Sequence, residues 1–225
     1  MSRSGLRARG KERRRAEIVA AAAALWRRHG IEAVSLQQVA EAAEVAPQTI
    51  YNLIGGVDAV VFAVIETLLD KIGEGLASGS AKSGVERVLY CVRTSADMFV
   101  ADGRLYRQLI VRIPQAVFSG AHLGRDITGA YAASVAAGQV EGDIDRAVNA
   151  DVLGRQIHIA YLGALFAWAS GGLDDGGLRR SAETSALALL TAAAAGAERD
   201  RLAGELRALL IASSGTPAQA RPDQM

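Results

Sequence analysis

His29, His122 and His158 stand far apart, and Cys91 is the only cysteine in the chain. No two histidines fall at the H-x-x-x-H spacing of a metal site, and a single cysteine excludes an intrachain disulfide framework. Cys91 has no histidine near it in sequence. Gly171-Gly172 and Gly176-Gly177 bracket a loop, but no strand precedes them as a nucleotide-binding glycine motif requires. A nucleophile with its base, a metal cluster and a phosphate cradle are all missing as local motifs, so an enzyme on a helical scaffold is the least favoured reading and no cofactor is expected. Charge offers different chemistry. Residues 1–56 carry nine Lys/Arg and five Asp/Glu, against sixteen and nineteen in the remainder. The bias is steepest at Arg3, Arg7, Arg9, Lys11, Arg13, Arg14 and Arg15, opposed by Glu12 alone. A basic arm on a nearly neutral body suits a local polyanion contact, and it equally suits a merely solvated terminus.

The elements that must carry these residues are helical. Half of the chain is hydrophobic, only 5% is aromatic, and Ala is abundant. Ala and Leu lose little freedom in a helix, and no stretch alternates apolar and polar residues for long enough to make a sheet. The fold class is therefore all-α. Ile18, Ala21, Ala22, Leu25 and Trp26 follow the spacing of one buried face on a helix from Lys11 to His29, stopped by Gly30. Ser35 stands as an N-cap with Gln38 three residues on, Pro47 suits the first turn of a third helix, and Gly55-Gly56 end that helix. Further helices are expected at 58–78, 83–101, 104–113, 121–139, 146–171 and 178–211, the last broken near Gly196. The run from Ile157 to Leu173 contains His158 and falls short of the roughly 18–20 apolar residues of a membrane span, so it reads as a buried helix. The lone cysteine fits a reducing cytoplasm.

With Leu36 as its first position, the segment 35–54 has the pattern of a helix-turn-helix. The small Ala40 falls where two helices cross; Val39, Val45, Ile50 and Leu53 face inward, and the turn lies at Ala43-Glu44-Val45. That geometry holds one short helix against a duplex backbone while the next enters the major groove. Here the chain resembles the TetR family of bacterial repressors. Residues Ser35 to Asn52, SLQQVAEAAEVAPQTIYN, follow that family's signature, roughly T-v-x-x-I-A-x-x-A-G-V-s-x-g-t-l-Y, and the resemblance runs from near Ala16 to about Ile65. The Leu165 to Gly171 run also looks like the family's penultimate helix. Three positions depart: Glu44 replaces the turn glycine, Ile54 the usual aromatic after Tyr51, and Val57 the lysine that commonly begins the fourth helix.

The resemblance implies roles. Gln48, Thr49 and Asn52 would be the outward groups of a recognition helix, since Gln and Asn match an adenine edge and Thr a thymine methyl or a phosphate. Pro47 would add an apolar contact; Tyr51, Ser35 and Gln37 would meet phosphates; Arg14 and Arg15 would meet backbone or minor groove. An ordinary solvated helix face has the same composition. The implied domains are a basic flexible arm (1–10), a helix-turn-helix DNA-binding domain (11–56), a helical ligand-binding and dimerisation domain (57–212) and a disordered tail (213–225). Expected partners are double-stranded DNA, a second copy of the chain and a small-molecule effector. Leu165, Trp168, Leu187, Leu190, Thr191 and Ala194 form the stripe expected at a homodimer seam, with one intramolecular core as the alternative. Cys91, Thr94, Met98, Phe99, Tyr106, Ile110, Phe118, Tyr131, His158 and Tyr161 are the candidates to line a ligand cavity, although most such residues are simple core. A regulator or architectural DNA binder without an inducer has the same sequence pattern.

Overall fold

The computed structural model describes residues 3–79, 81–118 and 123–213. The described residues form the helices α1 (Arg3–His29), α2 (Leu36–Ala42), α3 (Pro47–Leu53), α4 (Val57–Ala77), α5 (Gly84–Ala101), α6 (Gly103–Ile110), α7 (Ile113–Phe118), α8 (Ile127–Glu141), α9 (Ala150–Ala169), α10 (Asp175–Ala193) and α11 (Gly196–Ser213), with a 3-10 turn at Ile31–Ala33. An isolated antiparallel bridge joins Ile144 and Ala194. The all-α expectation holds. Among the described residues no single helix is long and apolar enough to cross a membrane.

Several boundaries differ from the sequence reading. The first helix begins at Arg3 rather than near Lys11, because the arm contains no proline and its arginines are good helix formers. The helix expected over 104–113 divides into α6 and α7, since Pro114 cannot supply the backbone N–H that continuity requires and suits a new first turn instead. The break expected near Gly196 is present, between α10 and α11. The tail beyond 213 lies outside the described residues.

The chain divides into two compact units, with α5 and α9 each contributing to both. The first comprises residues up to 80, 94–126 and 165–174. In it, α1 buries Ile18, Ala22 and Trp26 at helical spacing, and α2 and α3 bury Val39, Ala40 and Ile50. Every residue of α4 from Val60 to Ile65 is buried, which makes that helix the apolar centre of the unit. The second unit comprises residues 81–93, 127–164 and 175 onward. Two glycines set its helix spacing. A Cβ on Gly84 would lie 2.2 Å from the Ser134 carbonyl oxygen, and one on Gly154 would lie 2.5 Å from the Ala132 nitrogen. Both α5 and α9 therefore press on α8 at distances that no larger residue permits. The α10–α11 hairpin is tied at its turn by Asp145 N–H donating to Ala193 O and Ala195 N–H to Asp143 O, both at 2.9 Å.

The turn between α2 and α3 is a Schellman motif made without glycine. Val45 N–H donates to Ala40 O at 2.9 Å and Glu44 N–H to Glu41 O at 3.1 Å. Glu44 adopts φ 52°, the left-handed region that costs an L residue about 1–2 kcal/mol. A glycine there removes that cost but frees the unfolded chain, which offsets about 0.4–1 kcal/mol. Glu44→Gly is therefore expected to raise the urea midpoint modestly, by less than about 1 kcal/mol of stability, whereas Glu44→Ala gives no comparable gain because it keeps the Cβ.

Candidate nucleic-acid interface

The capped start of α2 fixes where the motif begins. Ser35 Oγ accepts from Gln38 N–H at 3.3 Å, and Ser35 N–H donates to Gln38 Oε1 at 2.8 Å, a complete capping box. Ser35 Oγ also donates to Gln38 Oε1 at 3.1 Å. Gln37 lies outward beside it, its amide 3.4 Å from Glu41 Oε1. Pro47 opens α3 in the first turn, where its missing N–H leaves nothing unpaired.

One side of α3 is anchored by Ile50, which is fully buried. Pro47, Gln48, Tyr51 and Asn52 are exposed on the other side, and Thr49 is half-buried at its edge. Tyr51 is 54% exposed, a large aromatic presented to solvent. Gln48 Nε2 donates to Asn52 Oδ1 at 3.1 Å, so the two amides are aligned one helical turn apart. Each keeps further donor and acceptor capacity for a base edge. The structure therefore brings the expected outward residues of 47–52 together on one accessible face. It separates the two arginines. Arg14 remains 44% exposed and lies 4.0 Å from Glu17, whereas Arg15 Nη2 pairs with Glu66 Oε2 at 2.8 Å.

A polar latch holds the first unit's later residues to the base of α1. Arg27 Nε donates to Asp102 Oδ2 at 2.8 Å, and this pairing raises the Arg27 pKa. Arg104 donates to Arg28 O at 3.2 Å, and Gln108 Oε1 accepts from Ile31 N–H at 2.9 Å. Arg112 pairs with Glu32, and lies 3.6 Å from Asp58 at the start of α4. None of these was legible in sequence, because each partner lies dozens of residues away.

The residues expected around a ligand fall into two groups. In the first unit, Phe99 meets Tyr106 edge-on with centroids 5.1 Å apart and Trp168 at 6.5 Å, and the Arg107 guanidinium sits 4.2 Å above the Trp168 ring. Ile110 is core; Thr94 and Met98 are half-buried. In the second unit, His158 Nδ1 and Thr128 Oγ1 share a hydrogen bond at 2.8 Å, and the His158 and Tyr131 rings lie 6.0 Å apart. Burial, with Tyr161 and Cys91 close by, pushes the Tyr131 hydroxyl well above its ordinary pKa. Cys91, Tyr131, His158 and Tyr161 are thus one neighbourhood, and Thr128, which sequence spacing did not suggest, belongs to it. The Phe118 side chain lies outside the described residues.

Five of the six residues expected at a homodimer seam are inaccessible in the single chain. Leu165, Trp168, Leu187, Leu190 and Ala194 are each at most 2% exposed within the single chain. They are already covered by their own helices, so they have no surface to give to a second copy; Thr191 is half-buried, its hydroxyl donating to Leu187 O at 2.7 Å.

A short capped helix, a left-handed turn and a proline-started helix with a polar outward face form a helix-turn-helix. Residues 18–53 match the family model of "Bacterial regulatory proteins, tetR family". No curated protein matches the chain in sequence. Among solved structures it is similar to RolR in complex with resorcinol, at 18% identity and TM-score 0.63 over 95% of this chain and 100% of that one. It is also similar to SmeT, the repressor of the Stenotrophomonas maltophilia multidrug efflux pump SmeDEF, at 19% identity and TM-score 0.58 over 82% of this chain and 92% of that one. A third similar structure is Thermus thermophilus FadR, a TetR-family repressor in complex with lauroyl-CoA, at 19% identity and TM-score 0.55 over 93% and 100%. These likenesses show a common fold. Residues 18–53 thus carry the match to the tetR-family model, and the chain as a whole shares its fold with these regulators.

Burial pushes the Cys91 thiol up to about 11. The thiolate is the reactive form, so alkylation by iodoacetamide at pH 8 is expected to be on the order of a hundredfold slower in the folded chain than in urea. Equal rates, read by mass spectrometry, overturn the burial argument.

Proposed function

We propose that this regulator is a repressor that binds a palindromic operator as a homodimer and is released by a small, mostly apolar ligand bearing one or two hydrogen-bonding groups. The observation that carries the reading is the outward face of α3, where Gln48, Thr49, Tyr51 and Asn52 stand together on a helix fixed by Ile50 and Pro47. Gln48 and Asn52 read bases, Tyr51 and Ser35 meet phosphates, Thr49, Pro47 and Gln37 flank them, and Arg14 holds the backbone. Arg15, engaged by Glu66, serves that contact only indirectly. In this scheme residues 11–56 read DNA, 57–212 bind ligand and partner, and the protein acts in the cytoplasm.

The body supports the second half of the reading by its chemistry. The Cys91, Tyr131, His158 and Tyr161 neighbourhood combines apolar surface with a few polar groups, as small-molecule sites do. RolR and FadR are seen with resorcinol and lauroyl-CoA, which are ligands of those proteins. For the dimer, the exposed sides of α9 and α10 replace the buried stripe. Val152 and Ile159 are more than half exposed on α9, and Ala188 and Ala192 are exposed on α10. Small side chains let helices of two copies approach closely in a four-helix bundle. Ligand binding then displaces α4, so that the two recognition helices no longer match successive grooves; this demands different ligand affinities for the DNA-bound and free forms.

Selection of bound sequences from random duplex DNA at a stated salt concentration tests the reading, and recovery of a palindrome is expected. Failure of the folded protein to enrich any sequence sinks it. An enriched palindrome whose binding no member of a diverse ligand panel alters points to a regulator without an inducer. Gln48→Ala is expected to relax sequence preference at a cost of about 1–3 kcal/mol, and Arg14→Ala to weaken all sequences alike and flatten the salt dependence. Two variants with the same profile refute the division into readers and anchors.

A further inference from the structure

Glu66 lies in the middle of α4 with its side chain 17% exposed, and both of its carboxylate oxygens are engaged. Oε2 accepts from Arg15 Nη2 of α1 at 2.8 Å. Oε1 accepts from the Gly124 backbone N–H, in the segment that leads into α8, at 2.7 Å. One turn further along α4, Asp70 takes the guanidinium of Arg125. The segment 123–126 is thus pinned to α4 at two successive positions, and one of the pins is shared with α1. A Cβ on Gly124 would stand 3.0 Å from Glu66 Oε1, so a larger residue there would require the carboxylate to shift by a few tenths of an ångström.

We propose that Glu66 is a positioning residue that couples α1 of the DNA-binding head to the segment 123–126. Each donor holds the Glu66 side chain in the position that the other needs. Displacing Gly124 therefore frees the carboxylate to move and weakens the hold on Arg15, and displacing α1 weakens the hold on Gly124. The resemblance implied a backbone or minor-groove contact for Arg15; here Arg15 is instead the head's handle on α4. Coupling to DNA rests on the operator reading above, whereas the clasp itself does not.

Amide exchange in the full chain, read by NMR at Gly124 and Arg125, tests this. The proteins compared are the wild type, Arg15→Met, Glu66→Gln and, as control, Arg14→Met; the Val61 amide inside α4 reports general destabilisation. Without DNA, Arg15→Met is expected to speed exchange at Gly124 about fivefold or more, with Val61 and the Arg14→Met protein unchanged. Glu66→Gln keeps an oxygen for Gly124 but no charge for Arg15, and gives a smaller increase. Adding the selected duplex is expected to slow Gly124 exchange in the wild type, and not in Arg15→Met, although both bind. Gly124 exchange that is the same in wild type and Arg15→Met, or that rises only in step with Val61, overturns the clasp. Bound duplex that leaves wild-type Gly124 exchange unaltered overturns the coupling. Wild-type protein that retains no duplex refutes the operator reading instead, and the DNA-free comparison still decides the clasp.

Discussion

A seven-residue helix does not stand on its own in water. The cost of nucleating a helix makes isolated ones marginal below about 12–15 residues, and α2 and α3 have seven each. The whole reading surface therefore depends on burial against α1. Trp26, Ile18 and Ile50 are almost fully enclosed, and each such side chain contributes about 1.5–3 kcal/mol. The capping box at Ser35 adds about 1 kcal/mol, and the left-handed Glu44 subtracts a similar amount. Burial thus supplies the stability, while caps and turn decide where each helix stops. That division explains why a non-glycine turn is tolerated: the cost at Glu44 is small against the apolar contacts that close around Ala40.

The same comparison of magnitudes applies to α6. Its ion pairs and hydrogen bonds with the base of α1 are numerous, but several are exposed, and exposed pairs contribute about 0–1 kcal/mol each. Leu105, Leu109 and Ile110, all nearly inaccessible, hold the helix in the unit. The polar partners fix its register: Gln108 answers one N–H, that of Ile31, and Asp102 answers Arg27. An element held by apolar burial and indexed by weak directional bonds can shift register without unfolding.

What could be read from the sequence follows from the range of each interaction. The helix-turn-helix was legible because its signals are local: Ser35 with Gln38, Ala40 at the crossing, Pro47 at the start of α3. Glu44, which stands where the resembled signature has its turn glycine, takes the left-handed conformation at φ 52°. Periodicity found Ile18, Ala22 and Trp26 but could not say what covers a stripe. Leu187, Leu190 and Ala194 have the spacing of a seam whether the covering helix belongs to the same chain or to a second copy, and here it is the same chain. Thr128 with His158, and Glu66 with Arg15, are pairs of ordinary residues 30 and 51 positions apart, and no local pattern marks them.

The cations of the head are concentrated on α1 and are absent from the exposed face of α3. The exposed face of α3 is Pro47, Gln48, Tyr51 and Asn52, without a single cation, and Glu41 and Glu44 stand exposed on the preceding helix and turn. Val57 brings no charge to the start of α4. Arg15 is committed to Glu66, and Arg13 and Arg14 both lie within 4.0 Å of Glu17. Sequence-independent attraction to phosphate grows with the number of cations that displace counterions. That number is reduced at α3 and concentrated at the N-terminal turns of α1, where Arg7, Arg9 and Lys11 are exposed. Uncharged amides discriminate between bases by hydrogen-bond geometry and add little attraction to arbitrary DNA. On the proposed operator-binding reading, a head built in this way would gain selectivity from α3 and residence from α1, so the two properties would respond to different substitutions and to salt in different degrees.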